Sequence, residues 1–296
     1  MTEYQRYIAE EIAVDHADGI ISRREAVRRL GLLGLAAPAA SALLAGAANA
    51  PVASAASQSH DGVAVDWAPV PTEPITFPGP NGTLMAAWAP AAEPRPLGGV
   101  LVMHENRGLN DHIRSVAGRF AASGYSALAL DLLSEEGGTA TFPDEAAVAA
   151  ALATIPPERF DADMIAAVTE LEARLPKARI GAIGFCFGGG MVWRLLAAGE
   201  RRLAAAAPFY GPFPSGGDLR KTKAAVLAVY GGLDTRVNAT RAAAEAALEA
   251  AHVQYQILTF TAADHAFFND TGPRYNVAAA AEAYRRALGW FGRFLD

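Results

Sequence analysis

The chain of 296 residues carries 25 Lys+Arg against 31 Asp+Glu, a net charge of −6, with 19% charged and 52% apolar residues. That apolar content excludes a disordered polyelectrolyte, since burying it offsets the entropy of ordering the chain, and the acidic balance excludes the basic face that a nucleic-acid backbone requires. One cysteine, Cys186, excludes an intramolecular disulfide and an all-cysteine metal cage.

Residues 1–60 differ in composition from the rest. Ser22-Arg23-Arg24-Glu25-Ala26-Val27-Arg28-Arg29 precedes a stretch, Leu30 to His60, without Asp, Glu, Lys or Arg. The apolar part, 30–46, runs into Ala48-Asn49-Ala50, which has the small-x-small form of a cleavage site, with Ala53-Ser54-Ala55 as a second choice. A basic flank, an apolar run and a small-residue end read as an export signal, and Ser-Arg-Arg is similar to the start of a twin-arginine signal. This reading places the mature protein in the periplasm or outside the cell. The competing reading is a cytoplasmic protein that keeps a helix over Glu3–Ala17, tied to the body by an Ala-rich linker. The run is too rich in Ala, Gly and Pro38 to make a stable membrane span.

From about Val63 the pattern becomes regular. Ile75-Thr76-Phe77 and 84–88 predict two strands joined through Pro80-Asn81-Gly82, where Asn-Gly suits a tight turn. The continuous apolar run Val100-Leu101-Val102-Met103 predicts a strand buried on both faces, followed by a helix capped by Asp111 and ending near Gly124. A strand at 125–130 closes on Asp131, and helices follow at 144–152 and 160–175. The latter places Met164, Val168, Leu171 and Leu175 on one face. Further strands are expected at 180–185, 203–209, 226–230 and 255–260, with helices at 187–198, 239–251 and 277–295. Strands alternating with helices of ten or more residues define an α/β fold: one mostly parallel, doubly wound sheet with helices on both faces. The expected organisation is a leader over 1–60 and one catalytic domain over 61–296. Function is then expected in the loops at the carboxyl ends of the strands.

One such loop reads Gly184-Phe185-Cys186-Phe187-Gly188-Gly189-Gly190. Gly-x-nucleophile-x-Gly between a strand and a helix is a nucleophile elbow with Cys in place of Ser, its turn so tight that side chains at 184 and 188 would meet backbone. The helix amino terminus behind it favours developing negative charge. The bland reading is a buried structural cysteine at a Gly-rich turn. A phosphate loop is disfavoured because Met191-Val192 follow the glycines instead of Lys-Ser/Thr. Asp234, after Tyr230-Gly231-Gly232-Leu233, and His265, after Asp264, stand past later predicted strands in the order nucleophile, acid, base. Cys186 would attack, His265 would take and return its proton, and Asp234 would orient the imidazole. The alternatives are a helix cap for Asp234 and a satisfied loop histidine for His265. His16, His60, His112 and His252 stand without a cluster, and His104-Glu105 lacks the second His of a zinc helix, so neither a metal nor a cofactor is expected.

These motifs, together with Met103-His104-Glu105-Asn106-Arg107-Gly108-Leu109-Asn110 and Asp264-His265-Ala266-Phe267-Phe268-Asn269-Asp270, resemble those of the dienelactone hydrolase family of α/β-hydrolases. The resemblance spans about Ile75 to Leu295. It implies that Glu105 holds the resting thiol and moves when substrate binds, and that backbone N–H groups of Phe187 and Asn106 form the oxyanion hole, the first also following the general elbow rule. It further implies a carboxylate-binding arginine a few residues past the catalytic histidine. Here 267–270 holds none; Arg107 and Arg274 stand as substitutes, neither at the position that this pattern gives. Phe268, with Phe267, Phe209, Tyr210 and Phe213, either lines an apolar pocket or packs the core. The expected activity is hydrolysis of a small-molecule carboxylic ester or lactone by a Cys-His-Asp triad through an acyl-thioester. The alternatives are a thiol redox sensor, which would not need His265, and a catalytically inactive scaffold.

Overall fold

The computed structural model describes residues 1–48 and 68–296. The small-residue ends at 48–50 and 53–55, His60 and the start of the expected catalytic domain at 61–67 lie outside the described residues or at their edge.

Three helices open the chain: α1 (Glu3–Ala17), α2 (Arg23–Leu32) and α3 (Ala37–Ala48). Thr2 starts α1 with a reciprocal cap: its hydroxyl accepts from the Gln5 N–H, and the Gln5 side chain accepts from the Thr2 N–H. Ser22 caps α2 by accepting from the Glu25 N–H. The helix over Glu3–Ala17 is present with the bounds of the second reading of the amino terminus, and the paired arginines Arg23 and Arg24 form its successor's first turn. None of the described helices is long and apolar enough to cross a membrane.

The body is one eight-stranded sheet. Its strands are β1 (Glu73–Pro78), β2 (Thr83–Ala89), β3 (Gly98–Met103), β4 (Tyr125–Leu130), β5 (Ile180–Phe185), β6 (Leu203–Phe209), β7 (Ala225–Gly231) and β8 (Tyr255–Phe260), in the order β1-β2-β4-β3-β5-β6-β7-β8. β1 pairs antiparallel with β2, and β2 antiparallel with β4; every other pairing is parallel. The turn through Pro80-Asn81-Gly82 joins β1 to β2 as the Asn-Gly pair predicts, with Gly82 at φ 155°. β3, β4 and β5 are buried throughout, which is why they read as unbroken apolar runs.

The intervening helices are α4 (Asp111–Ala122), α5 (Glu145–Leu152), α6 (Pro157–Arg174), α7 (Phe187–Ala197), α8 (Thr235–Asn238), α9 (Arg241–Ala251) and α10 (Val277–Leu295). Two local expectations are corrected. Asn110, not Asp111, caps α4: its side chain accepts from the Ile113 N–H, one residue earlier than the acid suggested. The helix expected over 239–251 is α9, which begins two residues later at Arg241, and a short helix that the sequence reading did not include, α8, precedes it, capped by Asp234. α10 buries Ala283, Ala287 and Phe291 on one face; the Phe291 ring packs edge-on to Phe120 at 5.8 Å and reaches Gly181 on β5, where a side chain would collide with it.

Candidate active site

β5 ends at Phe185, and the chain turns at Cys186 into α7 with φ 56° and ψ −119°. A non-glycine residue at positive φ is strained and is kept only where its surroundings fix it. Here the Cys186 N–H donates to the Phe209 carbonyl at 3.1 Å, and glycines make the turn sterically possible: a Cβ at Gly184 would run into the Gly188 carbonyl, and one at Gly188 into the carbonyls of Met103 and His104. The thiol is thus held at the carboxyl edge of the sheet's central strands. Beside it, the Phe187 N–H occupies the first position of α7, where no carbonyl of its own helix can accept.

The candidate acid and base, Asp234 and His265, follow the ends of β7 and β8. Asp234 uses both carboxylate oxygens: Oδ1 accepts from the Val237 N–H at 3.0 Å, capping α8, and Oδ2 lies 2.6 Å from His265 Nδ1. The helix-cap and histidine-orienting roles considered for Asp234 therefore coexist in one side chain. Asp264 faces away, accepting from the His265 N–H at 2.6 Å and pairing with Arg274 at 3.5 Å. Asp131 organises its own loop through the Leu133 and Thr139 N–H groups. Burial alone would lower the His265 pKa, but the Asp234 carboxylate and Cys186 outweigh it and raise it well above the ordinary histidine value. Burial would raise Asp234, and the His265 charge outweighs it in turn, leaving the carboxyl below its usual range. For Cys186, burial and then the Glu11 charge push the thiol up, against the opposing pull of His265.

Glu105 follows the end of β3 and is buried. Its Oε2 accepts from Asn269 Nδ2 at 2.6 Å, while its Oε1 has no hydrogen-bond partner among the described residues. The thiol itself donates elsewhere: Cys186 Sγ lies 3.5 and 3.6 Å from the two carboxylate oxygens of Glu11, and Tyr7 Oη lies 3.3 Å from the same sulfur. Both residues belong to α1. Arg107 lines the small cavity beside the thiol and pairs with Glu145 at 3.6 Å, and Asn106 lines the same cavity. Phe268 is instead buried behind the elbow, stacked on Phe185 with centroids 5.0 Å apart, and is not among the cavity's lining residues. His112, expected to stand outside any cluster of ligating groups, has a carboxylate partner: its Nδ1 lies 2.9 Å from Asp270 Oδ1, a carboxylate that Arg119 also binds.

Three groups at the site escaped the reading of the sequence. Asn269 stands four residues past His265, inside a motif already singled out, and holds Glu105. Arg236, two residues past Asp234, is partly buried with its guanidinium 4.3 Å over the Tyr7 ring and 3.8 Å from Glu11. Glu11 carried no local signal, being one of several acids on an amphipathic helix. Glu11, Cys186 and His265 place one donor atom each within 4.8 Å of one another, the one such group of potential metal ligands among the described residues. An ion held there would occupy the thiol and the imidazole, the two groups that a triad of Cys186, His265 and Asp234 would need free.

A mostly parallel sheet with a strained nucleophile elbow after β5, an acid after β7 and a histidine after β8 defines an α/β-hydrolase. The sequence profile of the dienelactone hydrolase family matches residues 85–295, and the chain belongs to that family. A protein of Methylorubrum extorquens, provisionally named carboxymethylenebutenolidase, is 30% identical over 237 residues, covering 74% of this chain and 80% of that one. One from Escherichia coli O157:H7 with the same provisional name is 30% identical, covering 83% and 94%. Among solved structures, a provisionally assigned dienelactone hydrolase from Klebsiella pneumoniae superposes with a TM-score of 0.66 at 28% identity, covering 75% of this chain and 98% of that chain. A dienelactone hydrolase-like promiscuous phosphotriesterase from metagenomic libraries shares the fold, with a TM-score of 0.68 at 24% identity over 77% of this chain and 100% of that chain.

Proposed function

We propose that the protein hydrolyses a small carboxylic ester or lactone by nucleophilic catalysis, with Cys186 as nucleophile, His265 as base and acid, and Asp234 as its orienting carboxylate. The observation that carries this reading is the conjunction of the positive-φ Cys186 elbow with the 2.6 Å contact between His265 and Asp234. Cys186 Sγ attacks the substrate carbonyl carbon while its proton passes to the His265 ring nitrogen that Asp234 does not hold. The oxyanion accepts hydrogen bonds from the Phe187 and Asn106 N–H groups. Collapse breaks the carbonyl carbon–oxygen single bond, and His265 returns the proton to the departing oxygen, leaving an acyl-thioester; from a lactone the released hydroxyl stays on the acyl chain. His265 then takes a proton from water, the hydroxide attacks the thioester, and the departing sulfur regains that proton.

Glu105 in this reading is a carboxylate parked on Asn269 within the thiol's surroundings, available to reposition when substrate enters. Arg107 is a candidate contact for the substrate's polar end, from the cavity wall. The paired arginines at 23–24 and the small-residue end at 48–50 support export as the protein's route, which mass spectrometry of the mature chain from its native host tests by showing where that chain begins.

The direct test is a panel of aryl esters and lactones on wild type and Cys186→Ala. Turnover is expected to fall by on the order of a thousandfold in the variant, with the fold intact by circular dichroism. Equal turnover in the two proteins would remove Cys186 from the mechanism.

A further inference from the structure

α1 presents one stripe to the site: Tyr4, Tyr7, Glu11 and Asp15, spaced by three, four and four residues, fall on the same helical face. Tyr4 packs edge-on to Phe187, the residue after the nucleophile, with centroids 5.4 Å apart. Tyr7 and Glu11 both touch the Cys186 sulfur, the first at 3.3 Å and the second at 3.5 Å. Asp15 pairs with Arg274 at 2.7 Å, and Asp18, just past the helix, pairs with the same arginine. Glu11 faces Arg236 at 3.8 Å. Glu11, Asp15 and Asp18 are thus set against cations on the segments that follow Asp234 and His265.

The consequence is that the site is full. The cavity left beside Cys186 and His265 measures about 20 Å³, room for a water and not for an ester. A groove of about 600 Å³ lies beside the helix, walled by Tyr4, Tyr7 and Glu10 together with Phe187 and Phe213, and the thiol is not part of its wall. A third space, about 30 Å³, is walled by Ile8, Glu11 and Ile12. α1 borders all three and separates the groove from the nucleophile.

We propose that α1 is an intramolecular plug of the catalytic site, its Tyr7 hydroxyl and Glu11 carboxylate occupying the place of substrate over Cys186, so that turnover requires the helix to withdraw. This rests on the reading of Cys186 as the nucleophile and concerns the chain that keeps its amino-terminal helices; cleavage at 48–50 on export removes α1 with the leader and leaves the site open. The docked helix also keeps the thiol protonated, since burial and the Glu11 charge both favour the neutral sulfur. Withdrawal removes the Glu11 charge, admits solvent to the sulfur and joins the thiol to the groove. The rate of any reaction at Cys186 then scales with the fraction of molecules whose helix is out.

The test uses full-length protein and two readouts: alkylation of Cys186 by iodoacetamide, followed by mass, and hydrolysis of 4-nitrophenyl acetate. Asp15→Lys with Asp18→Lys turns the pairs with Arg274 into repulsions. Both rates are expected to rise by about tenfold, as for a rise in the open fraction of that size, and adding Arg274→Glu is expected to bring them back towards wild type. Faster alkylation without faster hydrolysis supports the plug and counts against the hydrolase reading. Rapid wild-type hydrolysis that the double substitution leaves unchanged, with alkylation also unchanged, overturns the plug and spares the hydrolase. A second measurement needs no variant: alkylating Cys186 in wild type fills the space under Tyr7 and Glu11, so amide exchange within α1 is expected to accelerate. Unaltered exchange after complete alkylation overturns the proposal.

Discussion

At the scale of single residues, the site is a set of buried charges that each depend on a named partner. His265 and Asp234 are the strongest case. The histidine's pKa lies well above 6.5, with Asp234 and Cys186 outweighing burial, and the aspartate's lies below 3.8, with His265 outweighing burial. A raised histidine stabilises the fold fully below its unfolded value, and that contribution is lost as pH rises through the folded value. A lowered aspartate stabilises above its unfolded value, and its contribution is lost as pH falls through the folded one. The pair therefore contributes most between about pH 4 and about pH 6.5. The urea midpoint of wild type is expected to decline on the alkaline side of that window, and to decline less in His265→Gln; parallel curves for the two proteins would contradict the assignment. Cys186, Asp234 and His265 were legible in the sequence because each follows a strand whose apolar run marks its end. Asn269 and Arg236 were not, since what gives them roles is a partner distant in sequence: Glu105 lies 164 residues from Asn269, and Glu11 faces Arg236 from the opposite end of the chain.

At the scale of elements, periodicity predicted type and position well where burial dictates composition. β4, β5 and β6, with α10, have the bounds their patterns suggested, because strands covered on both faces must be apolar along their length and a helix on a sheet must show one apolar stripe; the half-buried edge strand β8 also has its expected bounds. Caps were less legible: Asn110-Asp111 offers two capping side chains in succession, and which one turns back onto the helix depends on the path of the loop. α10 gives the stability prediction for this scale. Phe291 is fully buried against Phe120, Tyr125 and Gly181, so Phe291→Ala is expected to cost about 3–5 kcal/mol in urea unfolding. A loss below about 1 kcal/mol would mean that the α10 face is not packed as described. For α1 the sequence carried the helix but not its destination. The contact of Glu11 with Cys186 spans 175 residues, and no local pattern distinguishes a helix that docks over a thiol from one that lies in solvent.

At the scale of the whole molecule, a chain that is 52% apolar with one cysteine folds around a central sheet whose carboxyl edge collects the chemistry from four strand ends. The strand order was not specified by the sequence beyond its mostly parallel class, because periodicity says which faces are buried and not which strand lies beside which. The motifs that resemble the family's lie at that edge, where the strand ends bring the strained Cys186 together with Asp234 and His265, the arrangement that the proposed reaction at a carbonyl requires. The central claim is that this carbonyl becomes bonded to Cys186. Acid-quenching the protein during turnover of an aryl ester, then digesting it and weighing the peptide that contains Cys186, tests that claim most directly. The account predicts a mass gain equal to the acyl group on Cys186 in wild type, absent in Cys186→Ala. Sustained turnover with Cys186 unmodified throughout, at a rate that Cys186→Ala retains, would contradict it.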